Sequence, residues 1–138
     1  MTEEDEAKES LLLHSFSHPD SAVDPRAAAG FLGSLRPYGG LNVQNYHEVM
    51  TALRVLAPKL GTEPRLDRDI VSALWGICHL ALAWGVDPDG MLRRNGLIAD
   101  ADVRRLAAWV QTISYATMML LDGHDVEEAF AGYDEHER

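Results

Sequence analysis

Apolar residues recur at three- and four-residue spacing along most of the chain, and no useful stretch alternates with the period of two that marks a half-buried strand. The pattern predicts an all-α protein, a single compact bundle of five to six helices, without internal repeats or low-complexity linkers. A first helix is expected from about Glu3 to Phe16, acidic at its start and apolar at Leu11, Leu12, Leu13 and Phe16. His18-Pro19-Asp20 stops it, because the residue before a proline avoids helical dihedrals. A second begins where Asp24 can cap it and Pro25 fills the first helical position, at which a missing amide proton costs nothing. Ala28, Phe31, Leu32 and Leu35 form its apolar face, and Pro37, Gly39 and Gly40 end it. The third starts at an Asn42 cap. It aligns Tyr46, Val49, Met50, Leu53, Ala57 and Leu60 on one side, with Gln44, His47, Glu48, Thr51 and Arg54 largely on the other.

The fourth helix, about 65–84, is apolar nearly all round, so it is expected to be the largely buried central helix of the bundle. Its one small or polar row, Ser72, Gly76, His79 and Ala83, would let a neighbouring helix approach closely. Asp87-Pro88-Asp89-Gly90 opens a short helical piece that Asn95-Gly96 ends. A long fifth helix, capped by Asp100 or Asp102, then runs to Leu121 with the polar row Arg104, Ala108, Gln111, Thr112 and Tyr115. Asp122-Gly123 terminates it. A last short helix begins at Asp125, where Asp125 and Glu128 have capping-box spacing, and packs Val126, Ala129, Phe130 and Tyr133 inward.

Charge divides the chain differently. The formal net charge of -10 lies at the two ends: Met1 to Glu9 holds five acids against one Lys, Asp122 to Arg138 holds seven against one Arg, and the segment between is balanced. The 138 residues fit one domain, 1–138, able to bury roughly two thirds of its unfolded surface, with acidic polar ends at about 1–9 and 134–138 expected to be solvated. With Cys78 as the one cysteine, no intrachain disulfide can form. The acidic start is also the wrong charge for a leader. A cytoplasmic protein is therefore expected. The longest apolar stretches, 70–86 and 109–121, are interrupted and shorter than the roughly 20 residues of a membrane span, so no membrane segment is expected.

Several side chains invite a chemical reading and have a simpler one. His14 and His18 are four apart, as paired metal ligands on a helix would be, but Pro19 ends the helix before both rings align. His79, in an apolar helix, is the sharpest catalytic candidate. It has no carboxylate three or four residues away in its own helix, and a core histidine satisfied by a hydrogen bond is the expectation. Cys78 beside it is expected to be an inert thiol, since adjacent helical positions point about 100° apart. A calcium loop from Asp87 would need an acid where Ile98 stands. Asp122, His124 and Asp125 are accounted for by helix termination and capping. No metal, cofactor or catalytic residue is expected.

The one constellation that points outward is cationic. Arg93 and Arg94 close the short helix, Arg104 and Arg105 open the next, and Trp109, Gln111 and Tyr115 continue from them. Arg, Trp and Tyr are the types that dominate binding hot spots. Asp87, Asp89, Asp100 and Asp102 are near enough in sequence to neutralise the same arginines. The expectation is a small acidic interaction module of neutralising or adaptor type, leaning away from enzyme, that binds a more basic protein and can form a homodimer. The alternative is an anionic-ligand or nucleic-acid binder using the arginines. Net acidity makes nucleic acid the less favoured of the two, because phosphate neutralisation calls for a cationic surplus. An enzyme acting through His79 is the second alternative.

Overall fold

The computed structural model describes residues 1–137 and contains only helices and turns among them. Helix α1, Glu3–His14, opens on a complete capping box: Thr2 Oγ1 accepts from the Asp5 amide at 3.0 Å, and the Asp5 carboxylate accepts from the Thr2 amide at 3.2 Å. It closes before the proline. Phe16, at φ 56°, takes the left-handed position, and the Phe16 and Ser17 amides return to the carbonyls of Leu13 and Leu12, a Schellman ending. Gly96 and Gly123 end later helices in the same way, as Asn95-Gly96 and Asp122-Gly123 predict.

The expected second helix is broken. Only α2, Pro25–Ala28, and a 3-10 turn, Gly33–Leu35, are formed. The cause is His14, which is 5% exposed. Its Nδ1 accepts the Phe31 amide proton at 3.0 Å, and its carbonyl accepts that of Leu32 at 3.0 Å. A continued helix would have sent those two amides to the carbonyls of Ala27 and Ala28. The turn is also tight: a Cβ on Gly33 would lie 2.1 Å from the Ala27 carbonyl oxygen.

Helix α3, Val43–Val55, begins at the Asn42 cap as expected, and α4, Ala57–Gly61, continues after a break at Leu56. Helix α5, Arg68–Ala81, is capped by Asp67, whose carboxylate also takes Lys8 Nζ at 2.8 Å and so ties α1 to it. A π turn, Leu82–Val86, follows. There Gly85 is buried so tightly that a Cβ would meet Leu106 Cδ2 at 2.5 Å. After the single turn α6, Met91–Arg94, comes α7, Asp100–Leu121. Its cap position is Ala99 without a side-chain bond, not Asp100 or Asp102. Asp102 instead accepts from the Tyr38 hydroxyl at 3.0 Å.

Helix α1 packs against α3 and α5, and α7 packs against α3, α4, α5 and the last helix, α8, Val126–Glu137. One core runs through Leu11, Leu32, Leu53, Leu74, Ile77 and Ile113. At one side the Tyr46 and Trp109 rings stack 5.2 Å apart, with the Tyr133 ring 5.6 Å from Tyr46 edge-on.

Two expectations change in detail. The fourth helix packs against α1 and α7, but it is not closed all round: Ile70, Ala73, Leu74, Ile77 and Ala81 face inward, while Trp75 is 73% exposed. Its row Ser72, Gly76 and His79 points away from the bundle, and a Cβ on Gly76 would touch nothing within 4 Å. The helical run Arg68–Arg94 is also long and apolar enough, by length and composition, to cross a membrane, where the sequence suggested stretches too short; here it packs in the bundle.

The acidic ends are helical rather than loose. In α8 the Tyr133 hydroxyl meets His47 Nδ1 at 2.6 Å, Asp134 pairs with Arg54, and the Arg54 guanidinium lies 4.4 Å from the Phe130 ring centroid. Arg138, the last residue of the expected acidic end, lies outside the described residues.

His14 gives the fold a testable pH dependence. Because Nδ1 accepts a proton donor, the ring proton sits on Nε2 and is donated to Glu48 Oε1 at 2.9 Å. Burial holds the imidazole below its ordinary value of 6.5, against the opposing pull of Glu48. The folded ring stays neutral where the unfolded one takes up a proton, so this contribution is intact above pH 6.5 and declines as pH falls from there toward the lowered folded value. His14→Leu orphans the Phe31 amide and is expected to cost about 1–3 kcal/mol near neutral pH. In denaturant titrations that difference from the wild type should shrink as the solution is acidified. An equal difference at both pH values would mean that the ring charges freely in the folded protein.

Candidate interaction surfaces

Helices α5 and α7 lie side by side and antiparallel: Val71 to Cys78 share a groove with Ser114 to Leu121, and Gly85, after α5, meets Leu106 near the start of α7. Between their outer edges runs an open groove of about 630 Å³, lined by Val71, Leu74, Trp75 and Cys78 from one helix and by Ser114, Thr117, Met118 and Leu121 from the other. Its rims are exposed: Trp75 at 73%, Met118 at 55%. Asp122, at its end, is the one acid in the lining, and its carboxylate is engaged by His124 Nε2 at 3.2 Å. Thr117 spends its hydroxyl on the Ile113 carbonyl at 2.8 Å, which leaves the floor apolar. Burial raises the Cys78 thiol to about 11, so at neutral pH it is a small apolar group, as expected of an inert cysteine.

The arginine constellation divides. Arg93, Arg94, Arg104 and Arg105 are all exposed, and among the described residues none pairs with a carboxylate. Two of the four aspartates near them in sequence are used elsewhere: Asp102 by Tyr38, and Asp87 in accepting the Asp89 amide at 2.9 Å. Arg93 donates to the Val86 carbonyl at 3.0 Å and so closes α6 on the π turn. Arg105 covers the Trp109 ring, 5.1 Å from its centroid. Trp109, expected at a partner surface, is 6% exposed and belongs to the core, stacked on Tyr46. Arg104 points about 100° away from Arg105, at the head of a row that continues through Gln111, Tyr115 and Met118 to the groove rim.

The histidines exchange the roles expected of them. His79, expected inside, is exposed on the outer face of α5 beside a shallow hollow lined by Leu82, Ala83, Val86, Asp87 and Pro88. No hydrogen bond joins its ring to Asp87. The buried histidine is His14, whose position after Leu11, Leu12 and Leu13 is its one sequence signal; its partner Glu48 is 34 residues away. It borders a second, polar hollow of about 680 Å³ shared by Glu6, Glu9, Arg26, Asn45 and Glu48. Arg26 is held there by Asp24 at 2.8 Å and Glu9 at 3.2 Å. Among the described residues no group of three potential ligand side chains could hold a metal ion.

Comparison with protein-family models, curated proteins and solved structures gives no significant match. The surfaces are therefore read from their own chemistry.

Two of the three tryptophans, Trp75 and Trp109, make a direct check on this assignment. Trp109→Ala should cost about 3–5 kcal/mol in chemical denaturation, while Trp75→Ala should change the stability of the single chain, read at high dilution, by no more than about 0.5 kcal/mol. At mildly alkaline pH, Cys78 should react with a thiol reagent roughly two orders of magnitude more slowly in the native protein than in the denatured chain, because so little of it is thiolate.

Proposed function

We propose that the protein is a small acidic interaction module, cytoplasmic in location, that docks a more basic protein through carboxylates carried on its terminal helices. The observation that carries this reading is that the acids at both ends stand on ordered helices. Glu3, Glu4 and Glu6 occupy the first turn of α1 behind a closed capping box, and Glu127 and Glu128 occupy the first turn of α8. Helix α8 is in turn held to α3 by Tyr133 and Asp134. Acids near helix N-termini also stabilise those helices, so the same charge supports the fold and faces the solvent. A fixed acidic surface attracts a cationic protein over distance and loses little conformational freedom on contact. Charge of this kind raises the association rate more than the final affinity.

One observation favours a second reading. Arg93, Arg94 and Arg104 are exposed without a carboxylate partner among the described residues, which is what an anion-binding patch would present. Titration with nucleotides and duplex DNA, with Arg93→Ala/Arg104→Ala as the control, decides it; salt-dependent binding lost in the variant would favour the anion.

For the leading reading, tagged full-length protein should retain a stoichiometric basic partner at low ionic strength and release it at high ionic strength. Once that partner is purified, Glu3→Lys/Glu4→Lys combined with Glu127→Lys/Glu128→Lys should slow association by about tenfold or more and change dissociation little. Recovery of no stoichiometric protein at low salt would end the proposal.

A further inference from the structure

From the outer face of α5 and α7 we infer that this protein pairs with a second copy of itself, the Trp75 indole of each copy seating in the α5–α7 groove of the other. The first ground is charge. Residues 70–86 contain no Asp, Glu, Lys or Arg, nor do residues 106–121, in a chain whose net charge is -10. The two segments are neighbours in space, so their outward side chains, among them Ser72, Trp75, His79, Gln111, Tyr115 and Met118, form one face without a formally charged residue. Depletion of charge with enrichment in Trp, Tyr and Met is the composition of an interface centre.

The second ground is shape. The face carries both a projecting ring and a groove, and a two-fold axis matches each ring to the other copy's groove, as self-complementary contacts require. Beside the ring, a Cβ on Gly76 would meet nothing within 4 Å, and this bare backbone admits a close helix crossing.

Charge also selects the occupant. A cationic partner is drawn by carboxylates, and the groove offers one, Asp122, already held by His124. A second copy is just as acidic, and this uncharged face is where two such bodies can meet with the carboxylates of α1 and α8 left outside the contact. The two copies meet through residues that the acidic docking proposed above does not use, so either can fail without the other.

Sedimentation equilibrium of the full chain should give twice the 15.3 kDa chain mass, with Trp75→Glu and Met118→Glu each raising the dimer dissociation constant at least about 30-fold. Circular dichroism of the two variants should match the wild type, since both positions are exposed in the single chain, while the wild type's denaturation midpoint should rise with protein concentration and the variants' should not. A further variant reads the contact directly: Ser72→Cys in a Cys78→Ala background should form an interchain disulfide on mild oxidation. A wild type that stays at the single-chain mass up to millimolar concentration would overturn the inference. So would a dimer indifferent to both charged variants. Binding of a monomer to neutral phosphatidylcholine vesicles, abolished by Trp75→Glu, would also overturn it and assign the face to lipid.

Discussion

The fold turns on the imidazole of His14. Three segments meet there: α1 supplies the ring, the 29–32 segment gives it two amide protons through ring and carbonyl, and α3 contributes Glu48 as acceptor of the ring proton. Each contact fixes another. The Phe31 amide selects the tautomer, the tautomer places a proton on Nε2, and that proton finds the carboxylate. In a buried site such a chain is worth making only if every member is satisfied, because an orphaned amide there costs more than a hydrogen bond returns. What it secures is the sharp descent from α2 into the turn that brings Phe31, Leu32 and Leu35 under the bundle.

That junction also marks where local sequence reading stops. Asp24-Pro25 starts a helix and Pro37 with Gly39-Gly40 ends an element, so one helix between them follows from local signals. Its interruption depends on a ring brought in from another helix. Where the deciding groups are neighbours in sequence, the pattern and the structure agree: the Asn42 cap, the Gly96 and Gly123 endings, and the inward faces of α3 and α7. Side-chain exposure was less legible. A helix apolar on most sides is ordinarily buried on most sides, yet α5 has one inner arc and one open one. His79 and Trp75 lie on the open arc, and Trp109 lies on the inner side of α7. Periodicity gives the hydrophobic arc of a helix; it does not say how much of that arc the chain itself has atoms to cover.

The arrangement of charge is the complement of the arrangement of apolar surface. Carboxylates crowd the first turns of α1 and α8, where the helix dipole favours them and solvent surrounds them. The α5–α7 face has none until Asp122. Basic residues are used locally: Lys8 on Asp67, Arg26 on Asp24 and Glu9, Arg54 on Asp134 and the Phe130 ring. The pairs are partly exposed, so each contributes modestly to stability. Their effect is to direct elements. Lys8 ties α1 to the start of α5, and Arg54 ties α8 to α3.

The π turn at Leu82–Val86 has a consequence for how this chain can vary. A π turn holds one residue more than an α turn. That extra residue rotates everything after it by about 100° relative to an uninterrupted helix. With it, Gly85 faces Leu106, and the Trp84 ring stands 5.5 Å from the Arg36 guanidinium. Deleting any one residue of this segment would restore regular helical geometry and misalign α6 with its neighbours. The irregularity is therefore a phase marker: the chain can change its side chains there more freely than it can change its length.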